Sequence, residues 1–155
     1  MRIPSAPLPQ VRDLLKGLTA PAFEGEAWYG KGEGKYAVRF YRRGSFALAA
    51  GVNAWRRAQG AAAVTLWVPD YFCNEALEPL RTATVSLRFY PIREDLTPDY
   101  GFLEDALPLA AHPQVFLLVH YFGFANSLDE ASKFCQRHRV ALLEDSAHVD
   151  RKSVV

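Results

Sequence analysis

Between Gly44 and Asp145 the chain alternates between stretches with helical spacing of apolar residues and short runs that are apolar throughout. Leu48, Val52 and Trp55 fall on one stripe at steps of four and three, which predicts a helix from Ser45 to Arg57 that Gly60 terminates. Residues 62–68 then read as a buried strand stopped by Pro69. A helix over Asn74 to Leu80 leads to a strand over Val85 to Tyr90, closed by Pro91. Next come a helix near Tyr100 to Leu107 and an apolar strand from Val115 to Val119. Ser127 with Glu130 three positions later forms a capping-box pattern that opens a helix to about Arg137, expected to bury Leu128, Ala131, Phe134 and Cys135. The last strand is Val140 to Leu143, which runs into Glu144 and Asp145. Wholly apolar strands separated by helices of about ten residues require a sheet covered on both faces, so the expected fold class is α/β, three layers α/β/α around a mostly parallel sheet.

Ahead of this region the pattern breaks down. Pro4, Pro7, Pro9 and Pro21 precede Gly25, Gly30, Gly32 and Gly34, so residues 1–41 read as an arm with Val11 to Leu18 its one candidate helix. The stretch Gly30 to Tyr36 has the wrong glycine spacing for a phosphate loop, with Tyr36 where a Ser or Thr would bind magnesium.

Composition narrows the classes of function. In 155 residues, half of them hydrophobic, 18 basic side chains balance 17 acidic ones, which gives no electrostatic reason to expect a nucleic-acid or membrane partner. No apolar run approaches the roughly 20 residues that span a bilayer. Cys73 and Cys135 are far apart and lack metal-ligand spacing, and no signal-peptide pattern follows Met1, so the expected setting is the cytoplasm.

In open parallel sheets, ligands bind at the carboxyl ends of strands, which leaves three places that could carry chemistry. Gly44-Ser45 opens a helix directly and can seat a phosphate on backbone N–H groups and a hydroxyl, or Ser45 simply caps its helix. His120, in Val119-His120-Tyr121-Phe122-Gly123, is either a ring or substrate contact or a satisfied structural residue, and Gly123 is expected to make a tight turn. Asp145, in Glu144-Asp145-Ser146-Ala147-His148, is either a carboxylate that keeps a pyridine nitrogen protonated or a solvated acid. His148 has no second histidine at zinc-ligand spacing. A Rossmann oxidoreductase needs a glycine-rich turn after the first strand, where this chain has Pro69-Asp70-Tyr71-Phe72.

Taken in order, the Gly44-Ser45 turn, Val68-Pro69-Asp70-Tyr71-Phe72-Cys73, His120-Tyr121-Phe122-Gly123 and Glu144-Asp145-Ser146-Ala147-His148 resemble the DegT/StrS family of pyridoxal-phosphate-dependent sugar aminotransferases. The resemblance runs from about Arg42 to His148 and implies the large domain of fold type I, here over residues 42–149, with residues 150–155 a tail outside the pattern. It implies that Gly44 and Ser45 hold the phosphate of pyridoxal 5′-phosphate, that Asp145 pairs with its pyridine nitrogen, and that His148 lies near the ring hydroxyl. Relatives often place Phe or Trp over the ring where this chain has Cys73, so Phe72 or Tyr71 is the expected substitute. His120 is the expected ring or substrate contact. The family's Schiff-base lysine has no counterpart among Lys16, Lys31, Lys35, Lys133 and Lys152, so no catalytic residue is assigned. The expectation is a fragment with weak or absent cofactor binding and no activity alone. Its parent would be a homodimeric enzyme moving an amino group from glutamate or a similar donor to a keto-sugar. A non-catalytic remnant serving as a binding module is the alternative. Without the rest of the sheet, the strand near residues 140–144 is expected to present an exposed edge.

Overall fold

The computed structural model describes residues 39–110 and 114–148, so the expectations for residues 1–38 and for the tail from residue 149 lie outside the described residues. The first element, α1 (Gly44–Ala58), follows the predicted stripe. Val52 is fully buried, and Leu48 and Trp55 pack beside it. The helix closes where Gly60, at φ 63°, adopts a left-handed conformation that costs glycine little, and its N–H donates to the Arg57 carbonyl.

Four strands follow: β1 (Val64–Pro69), β2 (Val85–Tyr90), β3 (Gln114–Val119) and β4 (Ala141–Asp145). They form one sheet in the order β2-β1-β3-β4, every neighbouring pair parallel. All residues of the two central strands, β1 and β3, are buried, as apolar strands covered on both faces must be. Side-chain alternation divides their residues between two cores. Leu66, Val68, Leu117, Val119 and Leu143 pack on the α1 side. Trp67, Phe116, Leu118 and Leu142 pack on the other side, against Leu103 of α2 (Tyr100–Ala106) and against Ala131, Phe134 and Cys135 of α3 (Leu128–His138). The architecture is α/β with helices on both faces of a parallel sheet. Each fully buried Leu in these cores contributes about 2 kcal/mol of transfer free energy.

Trp67, Gln114 and Tyr90 pair their buried polar atoms between the layers. The Trp67 indole donates to Gln114 Oε1 at 2.5 Å, and the Tyr90 hydroxyl donates to the Leu117 carbonyl at 2.7 Å. Burial, chiefly, drives the Tyr90 phenol pKa far above its ordinary value and lifts the Cys135 thiol to about 12.

Two expectations are refined and two corrected. The helix over Asn74–Leu80 is present and is of the 3-10 type; it is short and contains Pro79, which has no N–H to donate to an α-helical ladder. The helix at Tyr100 stops at Ala106 and tightens into a 3-10 turn over Leu107–Leu109, around Pro108. Strand β2 is not buried throughout, because it lies at a sheet edge among the described residues, with Ser86, Arg88 and Phe89 exposed. Ser127 caps α3 as predicted, its Oγ accepting from Glu130 N at 3.2 Å. Leu128, however, is exposed rather than buried, because it opens the first turn beside that solvent-facing cap.

Candidate functional site

A cavity of about 710 Å³ opens at the carboxyl ends of β1, β3 and β4, and its wall includes Gly44, Ser45, Phe72, His120, Asp145 and His148. The six positions singled out from the sequence therefore share one cavity, although they span more than a hundred residues of chain.

The helix start supplies one wall. Arg43 is the N-cap residue, extended at φ −146°, and its side chain does not cap the helix. Its carbonyl accepts from the Phe46 and Ala47 amides at 3.1 and 3.2 Å. The Gly44 and Ser45 amides have no acceptor among the described residues. Ser45 is the second residue of the helix and not its cap, so its hydroxyl adds to an end that already carries partial positive charge.

The turn after β1 supplies an aromatic flank. Phe72 is half-buried against the α1-side core and faces the cavity, while Tyr71 is exposed, its ring centroid 5.7 Å from that of Tyr121. The Tyr71 carbonyl accepts from the buried Tyr121 hydroxyl at 2.7 Å. Burial foremost, then the charges of Asp70 and Asp145, push the Tyr121 phenol well above its ordinary pKa, so it stays a donor.

Beyond β3 the chain reverses over Tyr121 to Phe124, where the Phe124 amide donates to the Tyr121 carbonyl at 2.7 Å. Phe122 and Gly123 have φ of 52° and 90°, a pair of positive values typical of a type I′ turn. Glycine takes this conformation freely; phenylalanine takes it at a cost, and here the turn presents the Phe122 ring to the cavity, nearly parallel to His148 at 5.8 Å.

His120 lies behind these groups with its side chain fully buried. Its Nδ1 accepts from the Asn126 amide at 2.8 Å, and its Nε2 lies 2.9 Å from Glu144 Oε1. A nitrogen that accepts an amide proton cannot carry one, so Nε2 is the protonated nitrogen and donates to Glu144. Both polar atoms are engaged by the protein, which narrows the expected ring or substrate contact to the hydrocarbon surface of His120.

Asp145 ends β4. Its backbone carbonyl accepts from His120 N at 3.1 Å, and its Oδ1 accepts from Ala147 N at 3.0 Å. The other carboxylate oxygen has no partner among the described residues. Asp145 has the same parity as Leu143, so it is on the α1 side of the sheet, the side of the helix start.

No family model and no curated protein matches the sequence. Solved structures do. S. venezuelae DesV, in complex with a ketimine intermediate, is similar with a TM-score of 0.55 and 21% identity, over 68% of this chain and 28% of that one. The broad specificity aminotransferase from Leishmania mexicana is similar with a TM-score of 0.51 and 17% identity, over 66% and 28% of the two chains. The sheet and its helices are part of the aminotransferase fold. A sphingosine-1-phosphate lyase of Burkholderia pseudomallei shares this fold with a TM-score of 0.50 and 17% identity, over 66% of this chain and 24% of that one. The chain spans about a quarter of the length of these structures. Among the described residues, no helix is long and apolar enough to cross a membrane.

Three residues of the site had no assigned role in the sequence: Tyr121, Asn126 and Glu144. Asn126 Nδ2 donates to the Val119 carbonyl at 2.7 Å and to the Leu96 carbonyl at 3.1 Å, which ties the turn after β3 to a loop thirty positions earlier. The polarity of Asn126 beside a buried strand end was the available signal. Its partners become adjacent only in the fold.

Proposed function

We propose that this chain is the cofactor-holding part of a pyridoxal-phosphate-dependent aminotransferase of the DegT/StrS sugar-aminotransferase type. In this reading the whole enzyme is a homodimer that takes its amino group from glutamate or a similar donor and gives it to a keto-sugar. The observation that carries the proposal is that one cavity has a helix start with two amides and a carboxylate oxygen, on the same side of the sheet, that have no partner among the described residues.

The donor set suits the cofactor. The Gly44 and Ser45 amides and the Ser45 hydroxyl match a phosphate dianion, since the helix end offers both donors and partial positive charge. Asp145, with one oxygen fixed by Ala147 N and the other without a partner among the described residues, matches a protonated ring nitrogen. Pyridoxal 5′-phosphate bound there supplies an electron sink for amino-group transfer, and the sink works best with that nitrogen protonated. Asp145 holds this proton, Phe72 and Tyr71 keep water from one flank, and His148 offers a hydrogen bond to the ring hydroxyl. Among the described residues Lys133 is the one lysine, exposed on α3 and outside the cavity wall. Lys16, Lys31, Lys35 and Lys152 lie outside the described residues, and in this reading none of the five lysines stands in the family's Schiff-base setting, so the chain as given holds the cofactor weakly at most, does not link to it and has no transaminase activity alone.

Pyridoxamine 5′-phosphate, which needs no lysine, tests the assignment. Titration followed by ligand fluorescence should show saturable binding, weakened about tenfold by either Ser45→Ala or Asp145→Asn, the loss expected for one charge-assisted hydrogen bond. Binding that neither substitution alters would overturn the reading.

A further inference from the structure

Adjacent strand residues point to opposite faces of a sheet. Asp145 thus shares the α1 side with Leu143, whereas Glu144 shares with Leu142 the side packed by α3. On that side Glu144 Oε1 accepts from His120 Nε2 at 2.9 Å and from the Ser146 hydroxyl at 2.5 Å, so one carboxylate oxygen is held by the end of the neighbouring strand and by the turn that follows β4. His120 is held in turn through Nδ1 by the Asn126 amide, and Asn126 is anchored on the Val119 and Leu96 carbonyls. The His120 backbone amide donates to the Asp145 carbonyl at 3.1 Å. Both the main chain and the side chain of His120 therefore bind the two residues at the tip of β4. The histidine is fully buried with both nitrogens engaged, as burial of two polar atoms requires, and losing either partner would leave a buried polar atom unpaired.

We propose that His120 and Glu144 are positioning residues: their hydrogen bond clamps the end of β4 from the α3 side and so fixes the direction in which Asp145 presents its carboxylate on the α1 side. The proposal rests on the reading that Asp145 meets the ring nitrogen of the cofactor. Neither residue touches that nitrogen in this scheme. They act through the single peptide unit that joins Glu144 to Asp145.

The test uses the full chain and ¹⁵N-ring-labelled pyridoxamine 5′-phosphate, with the dissociation constant and the pH midpoint of ring-nitrogen protonation read by NMR. Glu144 is exposed, so Glu144→Ala should fold; it is expected to weaken binding about tenfold and to move the ring midpoint to lower pH. Glu144→Gln keeps an acceptor for His120 Nε2 and should restore both values to within about twofold. His120→Phe fills similar volume without the hydrogen bond; it should match Glu144→Ala, and the double variant should be no worse than either single one. Asp145→Asn is the control for the underlying reading. If Asp145→Asn weakens binding while Glu144→Ala leaves the midpoint and affinity at their original values, the clamp is refuted and the cofactor reading stands. Glu144→Gln as weak as Glu144→Ala also refutes the clamp, because the hydrogen bond would then not be the agent. No saturable binding, or binding indifferent to Asp145→Asn, overturns both. In the ligand-free chain, ¹⁵N shifts that show the His120 proton on Nδ1 would overturn the clamp independently.

Discussion

The two cores bury ionisable groups that must stay neutral, and this makes the fold sensitive to alkali in a way that can be worked out. Tyr90 and Tyr121 are 1% and 4% exposed, and both phenols are pushed far above their ordinary pKa, mainly by burial. The Cys135 thiol, 3% exposed, is raised to about 12 by the same cause. In the unfolded chain these groups lose their protons near pH 9 for the thiol and near pH 10 for the phenols. The folded state keeps them protonated above those values, so from there upward the unfolded state binds fewer protons and stability falls as pH rises. Below pH 9 the contribution is fully present. Each such group removes about 1.4 kcal/mol per pH unit once its unfolded form titrates. Between pH 8 and pH 11 the thiol acts over about two units and each phenol over about one, for a loss on the order of 5 kcal/mol. That is comparable with the roughly 5–15 kcal/mol available to a whole domain.

Urea unfolding followed by tryptophan fluorescence at pH 8, 9, 10 and 11 measures the effect, with the slope against pH as the diagnostic quantity. Tyr90→Phe separates the causes. It removes the hydroxyl that donates to the Leu117 carbonyl, at a cost of about 1 kcal/mol at pH 8, and also removes one titrating group, so its stability should decline less steeply above pH 10. A midpoint that does not move between pH 8 and pH 11, or a Tyr90→Phe variant with the parent's alkaline slope, would refute the assignment of these groups as buried and neutral.

Two further outcomes follow from the site. Gly123→Val should cost about 1–2 kcal/mol in urea unfolding despite the open space around the glycine, because a β-branched residue resists φ of 90°; an unchanged midpoint would mean that the turn rearranges freely. Pyridoxal 5′-phosphate followed by borohydride should leave no adduct concentrated on one lysine of this chain, as peptide mass spectrometry would report. A single labelled lysine would contradict the proposal that the chain holds the cofactor without linking to it.

Elements and layer order were legible because the signals were local and repeated. The Leu48-Val52-Trp55 stripe and the uninterrupted runs in β1 and β3 each have a single good solution, a helix against a sheet face and a strand covered on both faces. What failed was decided by position in the sheet. Residues 85–90 alternate apolar and polar up to Arg88, as a half-exposed strand does, but the pattern does not say that an edge leaves Phe89 in solvent, and spacing alone puts Leu128 on the buried stripe of a helix whose first turn is open. The site was legible as a set of places, since strand ends and helix starts collect ligands, and the residues chosen on that ground line one cavity with Phe72, which the family resemblance added. The status of His120 was not. A histidine after an apolar strand reads the same whether its nitrogens face a ligand or the protein, and the partners that decide the matter, the Asn126 amide and Glu144, are six and twenty-four positions away.

The position of Asp145 follows from these constraints and not from β4 alone. Among the described residues β4 pairs only with β3, and Ala141, Leu142 and Leu143 are half-buried, so it is a short edge strand of the kind that opens most readily. A carboxylate presented from such an edge would ordinarily wander, and a wandering carboxylate is a poor partner for a fixed ring. The ladder to β3 continues one step past its last residue, through His120 N to the Asp145 carbonyl, and the His120 side chain closes on Glu144 just before it. The chain thus gains rigidity at the tip of an edge strand by borrowing it from a central one. That exchange requires a residue that donates from both backbone and side chain at the first position after β3, and a buried histidine whose other nitrogen is occupied by an amide meets the requirement.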